Sequence, residues 1–213
     1  MPDFAKLLDG YRRFRSGAYL EQKKRYDSLA SEGQSPKILI IACSDSRVDP
    51  SQIFDVDPGE IFVVRNVAAL VPPFETTPGL HGVSAALEFA VQVLKVNYVV
   101  VMGHGLCGGC KAALTQELRG AAPGEGGFIS DWISLLDDAR EDVLAQHGAT
   151  GHEAERAMEY AGVRTSIANL RTFPCIREKE AKGEIRLQGV FFAISEGVLH
   201  LLDESTGAFS PAR

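Results

Sequence analysis

The sequence predicts an α/β fold, a central and mostly parallel β-sheet flanked by helices. Three short apolar runs carry this reading: residues 37–43 (KILIIAC), 61–64 (IFVV) and 98–102 (YVVVM). None alternates with polar residues, as expected of strands buried on both faces. Between the second and third runs, Val83, Leu87, Ala90, Val91 and Leu94 mark one face of a helix, the crossover that a parallel pair requires. A chain of 213 residues with 45% hydrophobic content can bury one sizeable core.

The flanking elements follow in order. Residues 3–15 place Phe4, Leu7, Leu8 and Tyr11 at i, i+3, i+4, i+7 after Asp3, a candidate N-cap, so the chain opens with an amphipathic helix whose apolar face needs a surface to cover. The turn signal GQSP precedes the first strand. After the third strand come two longer helical segments, 129–146 with Ile129, Trp132, Ile133, Leu136 and Val143, and 152–171 with Ala154, Met158, Ala161 and Ile167. Residues 184–194 and 197–203, separated by Ser195 and Glu196, read as a hairpin-like ending. GAAPGEGG, residues 120–127, reads as a flexible loop. No repeat or low-complexity linker divides the chain, so residues 1–213 are expected to form one domain, with 1–32 as an N-terminal helical arm and 33–213 as the α/β core.

Charge and composition narrow the function classes. A net charge of -6 without a block of like charges argues against a nucleic-acid partner. Arg12, Arg13, Arg15, Lys23, Lys24 and Arg25 are interrupted by acidic and apolar residues and read as solvated helix faces. No apolar stretch approaches the roughly 20 residues of a membrane span, and the N-terminus lacks a basic leader followed by an apolar run. A cytoplasmic protein without a membrane partner is expected. There, Cys43, Cys107, Cys110 and Cys175 are expected as reduced thiols or metal ligands rather than a disulfide framework.

Two strand ends carry unusual chemistry. GHGLCGGC, residues 103–110, follows the third strand and admits three readings: a phosphate cradle, a Cys-x-x-Cys redox pair (Cys107, Cys110), or two arms of a metal site (His104, Cys107). The cradle lacks G-x-G-x-x-G or a Walker lysine. The redox pair does have its helix start. ACSDSR, residues 42–47, ends the first strand, and ligands of open α/β sheets bind beyond the carboxyl ends of strands. If the two strands are neighbours, Cys43, His104 and Cys107 converge. Two thiolates and an imidazole are a ligand set that zinc uses at catalytic centres, with the fourth position open to water or substrate. Asp45 could fill that position, or be held by Arg47 and accept a hydrogen bond from the metal's water.

CSDSR, VVRNVAALVPP, LEFAV and GHGLCGG, in this order, together resemble the β-class carbonic anhydrases, and the resemblance runs from about Gly33 to GVFFAISEGVLHLLDESTGAF near the C-terminus. It implies a zinc enzyme with one Zn2+ per chain that reversibly hydrates carbon dioxide to bicarbonate and a proton through a zinc-bound hydroxide. Cys43, His104 and Cys107 would be the ligands, and Asp45 with Arg47 a catalytic dyad. It further implies a homodimer or dimer of dimers whose N-terminal helices pack on the partner subunit. Gln34 matches a glutamine that in many members donates a hydrogen bond to substrate from the neighbouring chain. Phe62 and Val67 match apolar residues lining the carbon dioxide pocket. Phe89 stands where many plant-type members have Tyr, so that hydroxyl is absent. Gly105, with Gly108 and Gly109, lets the backbone pass close to metal and substrate.

The bicarbonate-inhibited branch of the family has WIGCSDSR, whereas Ile40 and Ala42 stand here at the Trp and Gly positions. Its inhibitory pocket is therefore expected to be missing and Asp45 to stay off the metal. Because two thiolates cancel the formal charge of zinc, hydration is expected to rise with pH on the alkaline side of neutrality. The sequence does not identify a proton carrier; His81, near the start of the helix after the glycine-containing loop, is one candidate. Relatives of the fold that hydrolyse carbon disulfide or carbonyl sulfide share the ligand triad, so the triad does not choose among substrates.

Overall fold

The computed structural model describes residues 4–212, and in it the chain begins with three helices, α1 (Phe4–Ser16), α2 (Ala18–Glu21) and α3 (Lys23–Glu32). The expected opening helix is present; its proposed cap, Asp3, lies outside the described residues. None of the three buries a residue. Phe4, Leu7, Leu8, Tyr11 and Phe14 of α1 form a stripe that stays 40% to 72% exposed. Rings of Phe14, Tyr19 and Tyr26 pack together and fold the arm on itself.

Next come β1 (Ile38–Cys43), α4 (Pro50–Ile53), β2 (Ile61–Asn66), α5 (Gly82–Glu88) and β3 (Tyr98–His104). β1 runs parallel to both β2 and β3, with Ile38 opposite Ile61 and Tyr98. Flanked on both sides, β1 is buried from Leu39 to Cys43, whereas β2 is half-buried because an edge strand has one neighbour. The crossover helix widens into a π-helical turn over Phe89–Val93, where Leu94 N–H donates to the Phe89 carbonyl at 3.0 Å. Leu87, Ala90 and Val91 still face the sheet, while Phe89 and Val93 are turned to solvent.

The remainder is α6 (Gly108–Thr115), α7 (Gly127–Ile133), α8 (Asp137–His147), α9 (His152–Leu170), α10 (Pro174–Ala181), β4 (Arg186–Ala193), β5 (Val198–Asp203) and β6 (Ala208–Pro211). The helix expected over 129–146 is two helices joined by a 3-10 turn at Ser134–Leu136. β4 joins β3 in parallel and the expected hairpin to β5 is antiparallel. The sheet order is β2-β1-β3-β4-β5-β6. Alternate residues of β1 enter separate apolar clusters, Ile40 and Ala42 on one face, Leu39 and Ile41 on the other.

Helix α9 lies unusually close to the sheet at the strand end that carries His104. A Cβ on Gly103 would come within 2.5 Å of Val163 Cγ2. Glycine there permits the approach, and the close helix in turn immobilises the strand end.

Candidate metal centre

Parallel register places the chemistry. Ala42 lies opposite Met102, so the ends of β1 at Cys43 and of β3 at His104 fall side by side at the sheet's carboxyl edge. Cys43 ends β1, His104 ends β3, and Cys107 follows two residues that turn the chain into α6, Leu106 adopting the left-handed region at φ 58. Their three donor atoms all lie within 4.8 Å of one another, and all three residues are buried.

His104 Nδ1 is 2.9 Å from the Gly105 carbonyl oxygen. A carbonyl only accepts, so in the neutral ring Nδ1 carries the proton and Nε2 the lone pair. That Nε2 is buried without a hydrogen-bond partner. An orphaned imidazole nitrogen beside two thiols fits a borderline-soft dication such as zinc. The Cys107 thiol beside it, together with burial, pushes the Cys43 thiol up to about 12. Cys107 is likewise pushed up to about 12, chiefly by Cys110. Both thiols thus hold their protons at neutral pH until a cation displaces them, which makes metal uptake proton-releasing.

Asp45 is not part of this donor group. Arg47 holds it from both sides, Nε donating to Oδ1 at 2.9 Å and Nη2 to Oδ2 at 2.6 Å, while the Arg47 backbone N–H donates to Oδ1 at 2.9 Å. The guanidinium keeps the Asp45 carboxyl well below the usual carboxylate range. Arg47 Nη2 also donates to the Leu106 carbonyl at 3.0 Å, tying the two ligand-bearing turns together.

Two further supports were not singled out in the sequence. Arg65 on β2 donates to the carbonyls of Cys43 and Asp45. Glu159 on α9, 4% exposed, accepts from the Cys107 backbone N–H at 3.1 Å and from Arg156 Nε at 3.2 Å. The Arg156 guanidinium lies over the Phe191 ring, 4.6 Å from its centroid. An acidic residue among Ala154, Met158, Gly162 and Val163, on the buried side of α9, was the available signal. Glu159→Ala removes the acceptor of a buried N–H and the partner of Arg156, so denaturant unfolding should show a loss of about 3 kcal/mol. An unchanged unfolding midpoint would contradict this role.

The loop after β2 is also fixed. Ala68 and Ala69 both lie in the left-handed region, at φ 63 and 56. The Asn66 side chain donates to the Leu70 carbonyl and accepts from Leu70 N–H, each at 2.9 Å. Ser166 on α9 donates to the Ala69 carbonyl and accepts from Val71 N–H, each at 3.2 Å, and Asn169 Nδ2 donates to the Val71 carbonyl at 2.8 Å.

The structure therefore gathers Cys43, His104, Cys107, Asp45, Arg47 and Gly105 at one place. Val67 stands nearby, 38% exposed, on the wall of an apolar cleft of about 570 Å³ that it shares with Leu80, His81, Phe128 and Trp132. Gln34 is exposed in the segment before β1. Phe62 sits opposite Leu39, four residues before Cys43, or about 13 Å along the strand, and its ring meets Phe89 at 5.8 Å. Gln34, Phe62 and Phe89 thus lie apart from their own chain's cluster. Ile40 and Ala42 are packed in the core, and Cys110 is buried on α6.

The carbonic anhydrase family model matches residues 38–199. The structure of the β-carbonic anhydrase CcaA superposes with a TM-score of 0.89 at 31% identity, over 99% of this chain and 92% of that one. The chain belongs to the β-class carbonic anhydrases. The carbonic anhydrase of Pseudomonas aeruginosa is 38% identical over 207 residues, covering 95% of this chain and 89% of that protein. Tetrameric β-carbonic anhydrases of Sordaria macrospora have a TM-score of 0.79 at 29% identity, over 97% of this chain and 98% of that one. β-Carbonic anhydrases hydrate carbon dioxide and use zinc, and Cys43, His104 and Cys107 are this chain's candidate zinc site.

Proposed function

We propose that Cys43, His104 and Cys107 hold one zinc ion per chain, and that Asp45 and Arg47 prepare the attack of water on carbon dioxide. The observation that carries this is the partnerless, buried Nε2 of His104 between two thiols. Bound zinc supplies Lewis-acid activation of water. Asp45, kept ionised by Arg47, can accept but not donate a hydrogen bond, so it orients an incoming water with a lone pair toward carbon dioxide. Its bidentate hold supports an open form in which Asp45 stays off the metal. The Gly105 carbonyl holds the His104 ring, and Val67 offers an apolar wall to a nonpolar substrate.

Gln34, Phe62 and Phe89 serve the site of a second copy. Their distance from their own chain's cluster supports this, as do the exposure of Phe89 and the uncovered stripe of α1. Self-association as a homodimer or dimer of dimers agrees with the tetrameric relatives. Helices α1–α3 then act as an arm on one continuous α/β domain. Four free cysteines support a reducing, cytoplasmic setting. Among the described residues, no helix is long and apolar enough to cross a membrane.

Stopped-flow hydration on zinc-quantified protein tests the reading. One zinc per chain and a rate that climbs from about pH 7 to about pH 9 are expected. Protein that carries one zinc per chain yet hydrates no carbon dioxide at the alkaline end overturns it.

A further inference from the structure

An arginine near the end of an apolar strand is costly unless every nitrogen finds a partner. Arg65 occupies such a position: β2 reads IFVVRN, and Arg65 lies opposite Ala42 with its side chain 29% exposed. Its three guanidinium nitrogens reach three different acceptors. Nε donates to the Cys43 carbonyl at 2.9 Å, Nη2 to the Asp45 carbonyl at 2.7 Å, and Nη1 to the Asp49 carboxylate at 3.0 Å. Between the two carbonyls, Ser44 N–H donates to the Asn66 carbonyl at 2.8 Å. Residues 43, 44 and 45 are thus each tied to the last two residues of β2. Asp49 is fixed in turn, because its Oδ1 caps α4 by accepting from Ser51 N–H at 2.9 Å.

The three-residue step from Cys43 to Asp45 leaves the sheet, and no ladder beyond β1 dictates its path. The planar fork of Arg65 does so, by holding the carbonyl on either side of Ser44. We propose that Arg65 is the positioning residue of the centre, fixing where the Cys43 sulfur and the Asp45 carboxylate stand relative to each other. It touches neither the donor group nor substrate and acts through two backbone carbonyls. Arginine is required because lysine is a point charge that cannot reach three acceptors in one plane. The inference rests on the zinc reading above.

Arg65→Lys, Arg65→Ala and Asp49→Asn test it beside wild type, with folding followed by circular dichroism and thermal unfolding. Chelator competition should show zinc held about 10- to 100-fold more weakly in both Arg65 variants, the usual scale for supports behind metal ligands. With zinc saturating, kcat/KM should fall about 10- to 100-fold, and guanidinium added to Arg65→Ala should restore part of it. Cobalt-substituted Arg65→Lys should show shifted visible bands, reporting altered ligand geometry. Asp49→Asn should move each readout the same way, by less. Wild-type zinc affinity, cobalt spectrum and rate in folded Arg65→Lys overturn the proposal. So does a loss that only tracks unfolded protein, with specific activity per bound zinc unchanged. Failure of the zinc reading is separate: it appears as wild-type protein that binds zinc without hydrating carbon dioxide.

Discussion

Cys107→Ala is expected to leave the fold in place and remove both metal and activity. The Cys107 backbone keeps its bond to Glu159 and its place at the start of α6, and alanine fits the same small buried space. The thiolate has no substitute, because Asp45 is held by Arg47 and Cys110 is outside the donor group. Losing several kcal/mol of charge stabilisation by the metal corresponds to at least about a thousandfold loss in hydration rate. Elemental analysis after dialysis, circular dichroism and stopped-flow assay check the three parts. Cys110→Ala is the contrast: zinc and activity should persist, since Cys110 serves packing. Zinc retained at one per chain in Cys107→Ala would exclude this ligand set.

Asp45→Asn is expected to keep its zinc and lower kcat/KM by about a hundredfold, the low end for loss of one preorganised hydrogen-bonding group at a reacting centre. The amide fits the same volume but turns one acceptor into a donor facing Arg47, and leaves the guanidinium without a counter-charge. The pH dependence has a definite sign. Because the folded Asp45 titrates below its unfolded value of about 3.9, its contribution to stability is complete above that value and disappears as pH falls through the folded one. The stability gap between wild type and Asp45→Asn should therefore be constant from about pH 5 to pH 9 and close only in stronger acid. Urea unfolding across that range measures it, and a gap that varies between pH 5 and 9 would show that Asp45 titrates within the working range.

Much of this was readable from the chain. The apolar runs at 37–43, 61–64 and 98–102 became β1, β2 and β3, because a strand buried on both faces needs no polar alternation. Cys43, His104 and Cys107 were candidates from residue type and strand-end position, and their meeting needed only that β1 and β3 be neighbours. Other features depend on partners that periodicity does not reveal. β6 is four residues long, too short for a pattern, and exists because β5 offers it an edge. The break at Ser134–Leu136 leaves the apolar spacing of 129–146 almost untouched. Arg65 follows the apolar run 61–64 directly, and its role depends on the carbonyls of Cys43 and Asp45, which only the folded chain brings beside it. Phe62 lies opposite Leu39, four residues back along the strand from Cys43, a separation that residue type does not reveal.

The loop from Asn66 to Val71 has a consequence for how a small substrate is met. Two alanines in the left-handed region each store about 1 kcal/mol or more of backbone strain. Five hydrogen bonds from Asn66, Ser166 and Asn169 hold the segment there. A loop so over-determined has little conformational entropy left to lose. Carbon dioxide offers almost no binding energy with which to order a flexible wall, so, with Val67 as the proposed wall, a segment already ordered by folding spares the encounter that expense. Glycine at Ala68 would relieve the strain and return that freedom to the loop beside Val67.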